Sequence, residues 1–397
     1  MFEWIVASLL LLALVILLSR RGHRHLLAPG LGWGAILLGG GCAWMIESLP
    51  FTAFRAPLSV TSAIAVVVGL LTGRMTVRAM QGWGRGHERD VAAGAAPADA
   101  RIVHPVLGAG LFVLGVPLLY TLVALRHESL EIQMTPRDAS TGVVLGGEDL
   151  RLPGDPAVSH GVLLLHGFLG SPADFGDLPR RLQAKGLTVR VLRLPGHATG
   201  PSVLDEVTPD EYGAAVQTAR DELAATHARV SIVGFSFGGA LALREAAERK
   251  PWRLVLVNPW LGQTATPGWC PIETDTLMDL AARVTRRVIR PPGMNRCNDP
   301  AGRASIRAYS TVRTQASAAA RNIARSAAAV KVGGVPTLLL TSTVDHTVRP
   351  DATTKWVLGF DGRTERKLYE RSDHVLFRDF DREPAMTAVE EFLTSAQ

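Results

Sequence analysis

Three cysteines among 397 residues are too few for a disulfide-stapled framework, and the chain has no Cys-x-x-Cys pair and no His-Glu-x-x-His run to hold a metal. A phosphate-cradling Gly-x-x-x-x-Gly-Lys loop and a dinucleotide fingerprint are also missing. The sequence therefore calls for no cofactor, and its chemistry has to come from its own side chains. Surplus charge is scarce as well. The formal net charge is +6, and nine arginines against five acidic residues before Arg126 account for most of it, so the larger C-terminal part carries no excess of charge for nucleic acid.

What the N-terminal third has instead is four long apolar runs: Phe2 to Leu18, Leu31 to Leu49, Pro57 to Gly73 and Pro105 to Leu125. Each is about 17 to 21 residues, enough for a helix to cross a hydrocarbon core of ~30 Å. Arg20, Arg21 and Arg24 follow the first run rather than preceding it, which favours an uncleaved span over a signal peptide. Arg74, Arg78, Arg85, Arg89 and Arg101 crowd the third connection, whereas the second holds only Arg55. By the positive-inside rule the first and third connections face the cytoplasm. The expectation is an α-helical membrane bundle over residues 1–126, multi-pass in the inner membrane, with residues 127–397 on its outer face.

Beyond that point β-type apolar runs alternate with helix-prone stretches: Gly161 to Leu165, Thr188 to Leu192, Arg229 to Val233, Arg253 to Val257, with helices near Pro172 to Lys185, Pro209 to Thr226 and Gly239 to Lys250. Val143 to Leu145 is a candidate early strand. Such alternation predicts a mostly parallel sheet with helices on both faces. Between the third run and its helix stands Gly234-Phe235-Ser236-Phe237-Gly238. Gly-x-Ser-x-Gly is weak as five letters, but a buried strand before it and a helix after it make it a nucleophile elbow, with Ser236 at the tip of a tight turn.

An elbow serine needs a base and an acid, following in the order Ser, acid, His. Asp345 lies just past the apolar run Val335 to Thr341, and His374 follows the short run Lys367 to Tyr369. Asp361 and Asp373 are weaker candidates for the acid, the first in a turn and the second adjacent to the histidine. His166, His197 and His346 are poor bases: the first two belong to turns upstream, and His346 points away from its neighbour Asp345. Upstream, Gly161 to Leu165 leads into His166-Gly167-Phe168-Leu169-Gly170, whose Phe168 amide is positioned to join that of Phe237 as an oxyanion hole.

These motifs resemble the α/β-hydrolase superfamily, and within it the bacterial carboxylesterase and monoacylglycerol lipase group. The matching stretches are Leu163 to Phe168, Leu194-Pro195-Gly196-His197, Thr208 to Tyr212, the elbow, Val344-Asp345-His346 and Tyr369 to His374, in family order. Phe237 stands where relatives often carry Met or Leu, which would narrow an acyl pocket, and Asp373 stands where many have Gly.

A gap of roughly seventy residues after Leu261 is far longer than a normal βα loop, so residues 262–334 are expected as an inserted helical cap. Leu277, Leu280, Ala281, Val284 and Val288 recur at helical spacing opposite Arg283, Arg286, Arg287 and Arg290. Two readings follow: a solvated basic helix, or a lid resting on anionic lipid headgroups. Cys270 and Cys297 share this stretch and on an oxidising face could pair, for about 3 kcal/mol of loop constraint.

The combined expectation is a membrane-anchored serine hydrolase of carboxylic esters, of medium-chain acyl groups or monoacylglycerols. Its partners would be a small-molecule or lipid ester and membrane lipids, with no nucleic acid. The same triad serves acyltransferases and thioesterases, and a non-catalytic, partner-binding membrane protein is the alternative outside enzymology.

Overall fold

The apolar runs become central strands, of which β2, β5 and β8 are buried along their whole length and β3 and β4 at all but the first residue, the signature of a sheet covered on both faces. Residue 120 and residues 123–262, 264–266, 270–290, 297–358 and 364–395 are described in a computed structural model; from Val123 to Gln397 they belong to one unit. Strands β1 (Leu150–Leu152), β2 (His160–Leu165), β3 (Thr188–Leu192), β4 (Arg229–Phe235), β5 (Leu254–Val257), β8 (Thr337–Ser342) and β9 (Thr364–Tyr369) form one sheet in the order β1-β3-β2-β4-β5-β8-β9. Only β1 runs antiparallel to its neighbour. Strand β4, which carries the elbow, lies at the centre. At the far edge β9 carries the charged residues Glu365, Arg366 and Lys367, which discourage pairing with another chain.

Alternate residues of one strand feed opposite cores. Leu163 and Leu165 of β2 join Tyr212, Leu241 and Ile323 on one face, while Val162 and Leu164 join Leu178, Leu182, Met386 and Val389 on the other. Each fully buried leucine contributes roughly 2 kcal/mol of transfer free energy. The first face is covered by α3 (Pro209–Ala224), α4 (Phe237–Glu248), α7 (Thr314–Ala328) and α8 (Pro350–Leu358), the second by α2 (Leu178–Ala184) and α9 (Arg382–Thr394). The start of α3 is set by Thr208, whose amide donates to Glu211 Oε2 at 2.7 Å while its hydroxyl accepts from the Glu211 amide at 3.3 Å, with Pro209 as the first helical residue. The single helix expected over Pro172 to Lys185 is a 3-10 turn, Pro172–Phe175, then α2, because Gly176 at φ 57° breaks the run. Val144 makes only an isolated bridge to Arg137; the edge strand is β1 instead.

Between β5 and β8 lies the insertion. It holds α5 (Thr274–Val284), a hairpin of β6 (Arg287–Ile289) and β7 (Thr311–Arg313), α6 (Pro300–Ser305) and α7. The apolar stripe expected to run through Val288 on one helix ends earlier. The helix stops at Val284, and Thr285 to Ile289, rich in β-branched residues, goes into the hairpin. Leu280, expected on the packed stripe, is 54% exposed.

Of the insertion's described arginines, Arg283, Arg286, Arg303, Arg307 and Arg325 are exposed, Arg287 and Arg290 half-buried, and Arg313 and Arg321 buried. Arg321, with 2% of its side chain exposed, pairs with Asp279 and donates to Ser317 Oγ at 3.1 Å, which straps α5 to α7. Arg313 pairs with Asp205 and lies 3.3 Å from Glu128; Arg287 also reaches Glu128. Glu128 belongs to helix α1, residues 123–134, which further ties down the hairpin: Glu131 accepts from the amides of Ser310 and Thr311, and His127 Nε2 is 2.8 Å from Ser310 Oγ.

Two expectations are corrected here. The multi-pass inner-membrane location is overturned: among the described residues no helix is long and apolar enough to cross a membrane. The four apolar runs lie outside the described residues apart from Tyr120 and residues 123–125, and residues 123–125 belong to a helix that continues through buried His127 and Glu128 as part of the C-terminal unit. Membrane lipids lose their support as partners with it. The Cys270–Cys297 disulfide does not form either. Both thiols are free; Cys297 is buried with Sγ 3.4 Å from the Arg378 carbonyl, while Cys270 Sγ lies 3.2 Å from the Ile272 carbonyl.

Candidate active site

Strand β4 leaves the sheet at Ser236 with φ 54° and ψ −116°, a conformation that an L-residue holds at a cost of roughly 1–3 kcal/mol. The flanking glycines make that turn sterically possible. A Cβ on Gly238 would stand 2.0 Å from the Leu165 carbonyl oxygen, and one on Gly234 would stand 2.5 Å from that of Gly238. Main-chain bonds then hold the turn: the Ser236 amide donates to the Val257 carbonyl at 3.0 Å, and the Ser236 carbonyl accepts from Gly239 and Trp260, both at 2.9 Å. The serine stays 5% exposed at the N-terminus of α4.

Two loops at the same ends of β8 and β9 bring Asp345 and His374 to it. Ser236 Oγ lies 2.8 Å from His374 Nε2, and His374 Nδ1 lies 2.7 Å from Asp345 Oδ2. The carboxylate can only accept, so the neutral imidazole carries its proton on Nδ1 and presents a lone pair to the serine hydroxyl. Asp345 Oδ1 in turn accepts from the amides of Thr347 at 2.7 Å and Val348 at 2.9 Å, which fixes the carboxylate plane. All three side chains are buried. A hydroxyl bonded to an imidazole that is bonded to a carboxylate can give up its proton as it attacks a carbonyl carbon.

Three residues that sequence reasoning missed or set aside hold these loops. Asn258, just past β5 at φ 40°, donates from Nδ2 to the His374 carbonyl at 2.8 Å and accepts on Oδ1 from the Ser342 amide at 2.7 Å. Its signal was a polar residue directly after the buried run Leu254–Val257. Asp373, weighed as an acid, instead accepts from the amides of His346 at 2.9 Å and His374 at 2.8 Å and from His346 Nδ1 at 3.0 Å, joining the two loops. Fully buried Asp379 collects the amides of Asn298, Asp299, Asp373 and Phe380. His346 thus faces Asp373 and not the serine, and Asp361 lies outside the described residues.

His166 and His197 take structural places around Phe168. His166 Nδ1 donates to the Gly167 carbonyl at 2.9 Å and Nε2 accepts from the Leu194 amide; His197 Nδ1 donates to the Pro195 carbonyl and Nε2 accepts from the Leu169 amide at 3.2 Å. Burial keeps both neutral, lowering His197 to about 4 and His166 well below its ordinary value. Among the described residues no hydrogen bond occupies the amide of Phe168 or of Phe237. The Phe237 ring is fully buried, edge-on to Tyr212 at 5.2 Å and to Phe168 at 5.8 Å, with Trp260 beside both phenylalanines. Behind the loop sits Asp174, which burial pushes up to about 7 despite the Ser171 amide and Arg378 nearby. Among the described residues no cluster of His, Cys, Asp or Glu could hold a metal ion.

The α/β hydrolase family model matches residues 162–387, more than half of the chain and every residue just described as bonded to Ser236 or His374. The chain belongs to the α/β hydrolase family. Over 83 residues it is 34% identical to a thermostable monoacylglycerol lipase of Bacillus sp. strain H-257, covering 21% of this chain and 33% of that enzyme. Over 84 residues it is 33% identical to a carboxylesterase of Bacillus subtilis strain 168, covering 21% of this chain and 34% of that one. The chain thus spans about a third of the length of these curated relatives. A solved structure from work on the metagenome-derived lipolytic enzymes LipS and LipT shares the hydrolase fold, with a TM-score of 0.53 at 24% identity over 63% of this chain and 98% of that one.

Proposed function

We propose that this α/β hydrolase is a carboxylic ester hydrolase working through an acyl-enzyme on Ser236. The observation that carries the reading is the unbroken line Ser236 Oγ, His374, Asp345, with contacts of 2.8 and 2.7 Å. His374 takes the serine proton as Oγ attacks the acyl carbon, then returns it to the leaving alcohol; Asp345 holds the Nδ1–H tautomer and steadies the imidazolium that forms. The carbonyl oxygen, now an anion, accepts from the amides of Phe168 and Phe237, each worth about 3 kcal/mol at the transition state. Water, activated by the same histidine, then attacks the acyl-enzyme and frees the acid.

Apolar acyl chains suit the site, because Phe168 and Trp260 stand next to the elbow and offer no charge. Within that class, medium-chain esters and monoacylglycerols are the substrates to try first, in line with the names of the two Bacillus relatives. Ser236→Ala should abolish turnover of p-nitrophenyl butyrate and labelling by a fluorophosphonate while keeping the wild-type melting temperature. Undiminished turnover in the folded variant would refute the assignment.

A further inference from the structure

The loop that carries Phe168 is a tight turn, closed by the Gly170 amide on the Gly167 carbonyl at 3.1 Å, with Phe168 second and Leu169 third. Leu169 has φ 64°, the left-handed conformation that favours glycine at this place in a turn. A leucine stays there only where its surroundings over-determine it. Both of its peptide groups are tied. Its amide donates to His197 Nε2 at 3.2 Å, and its carbonyl accepts from the amide of Tyr309 at 2.8 Å.

Tyr309 comes from the insertion, directly before β7, and it is fixed by its own side chain. The buried hydroxyl accepts from the Thr199 amide at 2.7 Å and donates to the Gly196 carbonyl at 3.0 Å, and the ring packs with Leu169, Leu204 and Ala316. One residue of the insertion therefore bridges the loop after β2 and the loop after β3.

We infer that Tyr309 is a positioning residue for ester hydrolysis: together with His197 it holds Leu169 in its left-handed conformation and so aims the Phe168 amide at the developing oxyanion. The inference rests on the ester-hydrolase reading above. It makes the insertion more than a cover. When its hairpin lifts, the turn loses the bond on the Leu169 carbonyl, so an efficient transition state requires the insertion to be seated.

The test measures kcat and KM for p-nitrophenyl butyrate, and inhibition by an alkyl boronic acid whose tetrahedral serine adduct places an oxygen where the oxyanion forms. Tyr309→Phe should lower kcat about tenfold, leave KM within about twofold and weaken the boronic acid by the same factor as kcat. His197→Ala should lose about a hundredfold in kcat, and His197→Gln, whose Oε1 can accept from the Leu169 amide, should recover a large part of that loss. Full kcat in a folded Tyr309→Phe, or a loss carried by KM alone, overturns the inference. Should Tyr309→Phe not fold, the histidine pair decides: equal defects in Ala and Gln overturn it. A wild type that neither turns over the ester nor takes a fluorophosphonate on Ser236 removes the hydrolase reading itself, a failure that shows before any variant is made.

Discussion

The sheet-end loops and the insertion are held by different balances of contacts. Around Ser236, Asp345 and His374 the fastenings are main-chain amides and carbonyls taken up by Asn258, Asp373, Asp379, His166 and His197. The insertion has such bonds too, with Glu131 and Asp379 taking up the amides of Ser310, Thr311, Asn298 and Asp299, but it adds ion pairs in which Arg321, Arg313 and Arg287 meet Asp279, Asp205 and Glu128. A backbone amide has one direction and a short reach, so it fixes geometry to fractions of an ångström; an ion pair attracts over a longer range but adds little net stability once desolvation is counted. The difference fits the two tasks. A reacting centre needs exact placement, whereas an inserted segment needs chiefly to be attached to the core.

The contrast can be broken in the catalytic loops first, where the largest effect is expected. Asp345→Asn keeps the shape but removes the carboxylate that selects the Nδ1–H tautomer, and kcat should fall about 10⁴-fold with an unchanged melting temperature; a loss under tenfold would detach Asp345 from the reaction. Next comes Asp174, pushed by burial up to about 7 from an ordinary 3.8. Its folded form binds a proton that the unfolded chain releases, so it subtracts from stability as pH rises from about 4 to about 7 and then no further. Asp174→Asn should lack that slope, and its stability relative to wild type, from urea unfolding, should gain on the order of 4 kcal/mol between pH 4 and pH 8. A pH-independent difference would place the proton elsewhere.

The ion-pair side should respond less, and in stability rather than turnover. Besides Asp279, Asp275 reaches Arg321, with Oδ1 4.0 Å from Nε, so the double variant Asp275→Asn, Asp279→Asn leaves Arg321 charged and buried without a carboxylate, which should cost roughly 3 kcal/mol against wild type while kcat for a small ester stays within a few-fold. An equal loss of kcat would show that α5 matters to the chemistry, and the proposed division of labour would fail.

The strands were legible because burial on both faces writes itself as an unbroken apolar run: β2 to β5 begin within a residue of where those runs do and β8 two residues into its run, whereas β9 starts earlier than its run, at Thr364, among charged residues, and short β1 has no such run. Ser236, Asp345 and His374 were legible because an elbow restricts letters: glycines where a Cβ would strike Leu165, a polar residue at a strand end. Asn258 and Tyr309 were not, since what they do depends on partners 84 to 116 and 110 to 113 positions away. The end of α5 was misread for a local reason, the helical spacing of Val288 outweighing the β-branched run that contains it. The disulfide failed for a spatial one, because shared membership of a loop says nothing of distance. Phe237, read as narrowing a pocket, spends its ring in the core against Tyr212.

Cys297 gives this arrangement a readout of its own. Burial, with the Asp379 charge beside it, pushes its thiol up to about 12, and its sulfur sits where the stem of the insertion meets the Arg378 carbonyl. Cys270, near the start of the insertion, is half-buried. Within the insertion an alkylating reagent at neutral pH therefore meets one slow thiol and one faster one, and the slow rate counts how often the segment around Cys297 opens. Peptide-resolved labelling over time would turn the seated and lifted states into a measured equilibrium, with the protein supplying its own stopwatch.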